Sequence, residues 1–484
     1  MPAPRAALFA YHANEGAFER LAPPWERIEV VRSSGGIRDG GALLMRIRKG
    51  PVAIPWEALH FGYIEGERFC DEQVRGPFAR WVHTHSFEPA DASDRSTLHD
   101  HVEWALPGGA IGNAIGGGIA ARQLDRMFAF RHLRTAQDLL RHQSHAARGT
   151  LRIVVTGASG SIGSALVPYL TSAGHEVTRL VRREPVNGDE RFVGREAYWD
   201  PAAGVIAQDA IDGCDAVIHL AGEAITGRWT AAKMRRIEQS RVNGTRLIAE
   251  AIARSMHADR KSRMLLSASA VGFYGSRPGV DLDESEAAGN DFRAKVCRAW
   301  ESAAEPARDA GARVVTMRIG LVIGARTPFM RPLLPVWRVG LGGSFGDGRQ
   351  CWPWIGLDDL LGAVEFLLHR DDVNGPVNLT APASTTNREF ARTLARVLKR
   401  PALGFYPAWA LRAIFGRLAD EALLSDQRVI PGALERAGFV FLTPTLEACL
   451  RWELGLVTRG DLELLQEDSQ DRSSRDAARA NPLP

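Results

Sequence analysis

LRIVVTGASGSIG, residues 151–163, is the stretch whose reading decides the fold. Ile153, Val154 and Val155 form the short β-branched run that a buried parallel strand needs. Gly157, Gly160 and Gly163 follow at a three-residue spacing. Ala165, Leu166, Val167 and Leu170 then carry a helical pattern as far as Gly174. A strand, a glycine turn and a helix N-terminus together make an anion site. The first glycine permits the tight turn, the second lets backbone approach a pyrophosphate, and the third allows close helix–strand packing. Such spacing alone means little in a chain with 48 glycines, but a second apolar strand over residues 177–181 completes a βαβ unit. The dinucleotide contacts expected here are Gly157, Ser159, Gly160, Ser161, Ile162 and Gly163.

The second strand ends in Arg182 and Arg183, with no acidic residue before them. An acid at this point would bind the ribose hydroxyls of NAD, whereas a basic residue accommodates the 2′-phosphate of NADP. NADP is therefore the expected cofactor, with NAD as the alternative. A further apolar strand, residues 216–220, ends in Leu220, Ala221 and Gly222, small enough there for backbone to pass close to the cofactor.

At 484 residues the chain is long enough for two to four domains. Its 45% apolar and 24% charged content is that of a globular protein, and a net charge of +3 gives no support to nucleic-acid or membrane-surface binding. Five scattered cysteines without CxxC spacing argue against a disulfide framework and against a zinc site of that type. No signal peptide or run of about 18 apolar residues is evident, so a cytoplasmic protein is expected, of oligomeric state left open.

Residues 1–145 have another texture. Leu43, Met45 and Ile47 alternate with polar neighbours, as do Leu98, Val102 and Trp104 with His99, His101 and Glu103, which predicts antiparallel strands. A helix is expected over 119–142, with Leu124, Met127, Phe128, Leu139 and Leu140 near one stripe and Arg122, Asp125, Arg126 and Asp138 on other faces. The glycine-rich stretch 108–118 reads as a flexible connector. His83 and His85 form one His-x-His pair and His99 and His101 another. Four imidazoles would converge if the strands were neighbours in register; the plainer reading is polar residues on a sheet face or cavity mouth, and no metal is assigned.

The stretches FCDEQVRGPFARWVHTHSFEP, LHDHVEWALPGG and RMFAFRHLRTAQDLL resemble the START-like, polyketide cyclase type of helix-grip domain (SRPBCC), over about residues 6–143. That resemblance implies a hydrophobic small-molecule ligand. From 151 to about 450, TGASGSIG, the strand entering Ser269, Arg318-Ile319-Gly320 and WIGLDDL resemble the extended, epimerase-like branch of the short-chain dehydrogenase/reductases. GRWTAAKMRRIEQSRVNGT, SASAVGFYG and LLSDQRVIPGALERAGFVF are similar to an atypical family of that branch once labelled cell-division-inhibitor-like. The implied organisation is a helix-grip domain at 1–145, a Rossmann NAD(P)-binding domain at 151–327, a C-terminal part at 328–466 with a substrate cap, and a disordered tail at 467–484. The fused first domain departs from the family's one-domain form.

The superfamily's chemistry uses a Tyr, a Lys four residues on and a Ser. Here the Tyr position carries Arg293 and the Lys position Cys297, while Lys295 belongs to another helix face. Ser269 matches the Ser, and Arg241, where the branch usually has Asn, joins the expected cofactor contacts. Tyr274 and Cys297 are the candidate substitutes, Cys297 as an acid or nucleophile of lowered pKa; a packed aromatic and a small pocket wall are the plainer alternatives. Glu284 and Glu286 read as substrate-reaching carboxylates or loop charges. Trp337, Arg338, Gln350, Trp352 and Trp354 belong to the implied cap, where they suit a flat ligand or ordinary core. Three functions follow: an NADP-dependent oxidoreductase or epimerase acting on a small molecule, a non-catalytic NADP-binding sensor, or a lipid- or ligand-binding protein scaffolded on a Rossmann body.

Overall fold

The computed structural model describes residues 1–186, 193–457 and 460, so the tail expected at 467–484 lies outside the described residues. Eight strands form the central sheet, in the order Val205–Ile206, Arg195–Asp200, Glu176–Val181, Arg152–Thr156, Ala216–His219, Met264–Ala270, Arg313–Ile319 and Gly375–Leu379. All neighbours are parallel except the first pair. Helices Gly163–Ser172 and Leu357–Leu368 cover one face, Ala231–Asp259 and Glu305–Asp309 the other. Burial on both sides is why the inner strands Arg152–Thr156 and Ala216–His219 carry short apolar runs. From Arg152–Thr156 the chain winds outward to one edge, then returns to Ala216–His219 on the other side. The loops leaving these two strands therefore face each other at the switch point, the place where such sheets bind ligands. A second core, with Met330, Trp337, Trp354 and Phe390 among its members, builds the C-terminal part around short strands and helices.

The first 145 residues form a six-stranded antiparallel sheet in plain sequence order, from Arg27–Ser34 to Ser96–Ala105, covered by helices Arg5–Ala13 and Gly109–His145. The glycine-rich 108–118 stretch, read as a connector, instead forms the first turns of that 37-residue helix. Glycine is required at 112 by close approach: a Cβ there would sit 1.9 Å from the Pro107 carbonyl oxygen, whereas one on Gly116 would meet only the end of the Leu106 side chain, at 2.8 Å. The histidine strands are neighbours, but His83 pairs with Val102 and His85 with Asp100. His83 and His85 therefore point inward while His99 and His101 point to solvent, and the four imidazoles do not converge.

Asp138, expected on an outer face of the helix, is instead buried, and Leu140 is exposed. The reason is long-range charge. Arg20 reaches both Asp138 (2.6 Å) and Asp358 (2.7 Å), and Arg134 reaches Asp358 at 2.6 Å. Tyr11 donates to Asp138, Trp452 to Asp358, and Arg141 binds Asp359 at 2.8 Å. This set joins the two parts of the molecule. Among the described residues, no helix is long and apolar enough to cross a membrane.

Candidate functional site

Gly157 takes φ +69°, and a Cβ on it would lie 2.9 Å from Ala221 N and Leu220 C. Only glycine lets the two strand ends cross this closely. A Cβ on Gly163 would sit 2.3 Å from the Gly157 carbonyl oxygen and 2.7 Å from Ala158 Cα, so the helix packs directly on the turn. Gly160 differs: its missing side chain would meet only the Gly157 oxygen, at 3.1 Å. Its other side is open toward a cavity of about 450 Å³. Thr156 Oγ1 accepts from the N–H of Leu220 and of Ala221, which locks the second strand end against the turn.

The cavity runs from this loop to the C-terminal part. Gly157, Gly160, Ser161, Ile162 and Gly163 form one wall, with Leu220 and Arg241 beside them. Ser159 and Gly222 are exposed and off the lining, and Ala221 is also off it. The far walls are mainly apolar, from Trp229, Phe292, Val296, Trp300, Phe329 and Trp352. The Arg241 guanidinium lies 4.8 Å from the Trp300 ring centre and donates to the Glu223 and Ile237 carbonyls, so it is a held wall rather than a mobile cation. Arg182 and Arg183 are both exposed at the strand end and off the cavity lining, and Arg183 pairs with the buried Glu196 carboxylate at 2.6 Å.

Arg293 and Cys297, one turn apart on helix Phe292–Ser302, both line the cavity; Lys295 is exposed. Cys297 is buried, and burial pushes its thiol up to about 11, helped by the Glu301 carboxylate against the pull of Arg293. The expectation of a lowered pKa is thus corrected: desolvation of a thiolate outweighs the nearby cations. Its Sγ lies 3.6 Å from the Ala270 carbonyl oxygen. Tyr274 is also corrected as a proton carrier. It is fully buried away from the cavity, among Val271, Leu282 and Val429. Its hydroxyl donates to Asn378 (2.7 Å) and accepts from Arg318 (3.0 Å), and burial pushes it up to about 12.

Ser269 lines the cavity and donates to Glu301 Oε1 at 2.7 Å, while Arg318 clamps both Glu301 oxygens at 3.0 Å. This Ser–Glu–Arg chain was not legible beforehand, although Glu301 lies one turn beyond Cys297. Glu284 accepts from the N–H of Asn378 and Ala433, and Glu286 pairs with Arg277, so both are structural. Of the expected cap residues, Trp352 reaches the cavity; Gln350 instead binds the Phe345 and Leu423 carbonyls, and Trp337 and Trp354 are core.

The residues present fit a dinucleotide. The glycine turn opens on the cavity at Gly160, and two buried donors on the walls, Arg293 Nε and Trp300 Nε1, have no hydrogen-bond partner among the described residues. Unpaired buried donors of this kind are costly, and a polar ligand would satisfy them.

Residues 153–379 match the NAD dependent epimerase/dehydratase family, and 406–453 match a domain of unknown function, DUF1731. The chain is 41% identical over 299 residues to epimerase family protein Mb2239 of Mycobacterium bovis, covering 62% of this chain and 96% of that protein. Among solved structures, a nucleoside-diphosphate sugar epimerase from Corynebacterium glutamicum superposes with a TM-score of 0.77 at 31% identity, over 96% of this chain and 91% of that one. The human epimerase family protein SDR39U1, solved with NADPH, gives 0.56 at 32% identity, over 63% of this chain and all of that one. With the glycine turn at the switch point and these likenesses in hand, the chain belongs to the NAD dependent epimerase/dehydratase family.

Proposed function

We propose that the chain is an NADP-dependent oxidoreductase or epimerase-like enzyme whose substrate is a small, largely apolar molecule. The observation that carries this reading is the cavity of about 450 Å³, with an open glycine turn on one wall and aromatic side chains on the others. In this reading the N–H groups of the 157–163 turn and the start of helix Gly163–Ser172 hold the pyrophosphate. Arg182 meets the 2′-phosphate, which agrees with the NADPH of the human relative. When bound, the nicotinamide supplies or accepts a hydride. The chain's own part is to shape and dry the site and to handle a proton. Ser269, fixed by Glu301 and Arg318, orients a substrate oxygen. Cys297, whose thiol stays protonated at neutral pH, donates a proton toward that oxygen. The N-terminal part, with its resemblance to helix-grip domains, binds an apolar ligand of its own.

One observation favours a second reading, a non-catalytic NADP sensor: Arg293 and Cys297 occupy the positions of the superfamily's Tyr and Lys. Titration with NADPH and NADH, followed by nicotinamide fluorescence and then by oxidation against a panel of carbonyl compounds, separates the two. Tight NADPH binding with turnover of any panel member supports the enzyme. Tight binding with no turnover favours the sensor, and absence of binding overturns both.

A further inference from the structure

The inward face of the N-terminal sheet carries a cluster that the cavity chemistry does not use. Strand Arg80–Pro89 presents His83 and His85, two residues apart and both buried. The flanking strands bring one carboxylate each, because the register sets Asp71 opposite His83 and Asp100 opposite His85. Asp71 Oδ2 lies 3.3 Å from His83 Nδ1 and 3.7 Å from His85 Nε2. One ligand atom from each of Asp71, His83 and His85 falls within 4.8 Å of the others. Nitrogen and oxygen ligands at about 2.1 Å from a tetrahedral ion lie about 3.4 Å apart, so these separations already approach those of a coordination shell.

The opposite edges of the two rings are braced as ligating imidazoles need. His83 Nε2 lies 3.1 Å from Asp100 Oδ1 in a hydrogen bond, and His85 Nδ1 lies 2.7 Å from the same oxygen, off the hydrogen-bonding direction. His132 Nε2, from the long helix, holds the other Asp100 oxygen at 2.6 Å. A carboxylate behind a ligating imidazole fixes its tautomer and raises its basicity. Asp71 is held in turn by Trp81 Nε1 at 3.3 Å on its remaining oxygen. Charge points the same way. Among the described residues, no Arg or Lys forms an ion pair with Asp71 or Asp100. Two carboxylates withdrawn from water need about two positive charges nearby, and a divalent ion with neutral imidazoles supplies them.

We propose that Asp71, His83 and His85 bind a divalent first-row transition-metal ion, with Asp100 and His132 as the outer brace. Two nitrogen donors and one oxygen select this class over Mg²⁺ or Ca²⁺. On the ligand edge the Asp71 side chain is 17% exposed, which leaves the ion a route from solvent.

The full chain, purified without a histidine tag and stripped with a chelator, is equilibrated with Zn²⁺ or Co²⁺, desalted, and analysed for bound metal. The expected result is about one Zn²⁺ per chain, visible ligand-field bands for the Co²⁺ form, and a melting temperature that rises with Zn²⁺ concentration. His83→Ala and Asp71→Asn abolish all three, while His99→Ala and His101→Ala, on the outer face, keep them. A wild-type chain that stays metal-free overturns the proposal and leaves a cluster of ion pairs only. Folded His83→Ala that binds as much metal as wild type overturns it equally. If the inner variants do not fold, the wild-type stoichiometry and Co²⁺ spectrum decide.

Discussion

Replacing Asp358 by Asn tests what holds the two parts together. Its carboxylate receives Arg20 at 2.7 Å, Arg134 at 2.6 Å and the Trp452 indole, all buried. Burial alone would raise its pKa, yet the Arg134 and Arg20 guanidinium groups hold it well below the usual carboxylate range. Arg20 keeps Asp138 after the substitution. Arg134 keeps the Arg20 carbonyl at 3.1 Å and the Phe130 and Trp452 rings at 4.4 and 5.9 Å, but no carboxylate among the described residues. Breaking one side of a buried ion pair costs about 3–5 kcal/mol. If the whole chain melts as one unit, that is a fall in Tm of about 4 °C; if the first 145 residues melt alone, their transition falls by about 13 °C. Calorimetry reads the difference directly. The contribution of a depressed carboxylate is present above its unfolded pKa of about 3.9 and is lost as pH falls through its folded value. The gap between wild type and Asp358→Asn is therefore steady from neutrality to about pH 5 and closes below it. A variant that melts within about 1 °C of wild type at pH 7 would refute the reasoning.

Gly160→Asp places a carboxylate where the turn opens on the cavity, so NADPH affinity should fall by at least about a hundredfold in a fluorescence titration, with the far-UV spectrum unchanged. Tyr274→Phe removes a buried hydroxyl bonded to Asn378 and Arg318; urea unfolding should show a loss of about 1–2 kcal/mol while NADPH affinity holds. Alkylation of Cys297 by iodoacetamide should be slow at pH 8, where a thiol at about 11 is thiolate in about one molecule per thousand, and should accelerate about tenfold per pH unit up to pH 10. Rapid reaction at pH 7, traced to Cys297 by peptide mass, would restore the lowered-pKa reading.

The parallel sheet was legible because its signals are local. The β-branched run at 153–155, the three glycines and the apolar 216–219 strand each stand within a few residues of one another. Period-two alternation likewise exposed the strands at Ala42–Lys49 and Ser96–Ala105. What escaped depends on partners far along the chain. Asp138 reads as a solvent-facing charge until Arg20 is placed against it, 118 residues away in sequence. Tyr274 has the right functional group, but its direction is set by Asn378, on a strand 104 residues further along the chain. The sign of the Cys297 shift depends on how completely it is desolvated, which spacing cannot show. The glycine-rich 108–118 stretch misleads in the other direction: glycine there serves the close seating of a helix end against Leu106 and Pro107, not freedom of the chain.

The buried ion pairs between the two parts also bear on what the peptide link between them does. That link is a short exposed turn, Ala146–Arg148, followed by Gly149 and Thr150. Asp358 and Asp359, which anchor the N-terminal arginines, come five and six residues after Pro353 of the cavity wall. Arg126 adds a grip on the Gly455 and Leu454 carbonyls from the same long helix. A protease nick at this turn would therefore leave a single particle, its two pieces travelling together in gel filtration and parting only under denaturant. Covalent continuity here sets stoichiometry and local concentration; the fit of charges sets the geometry.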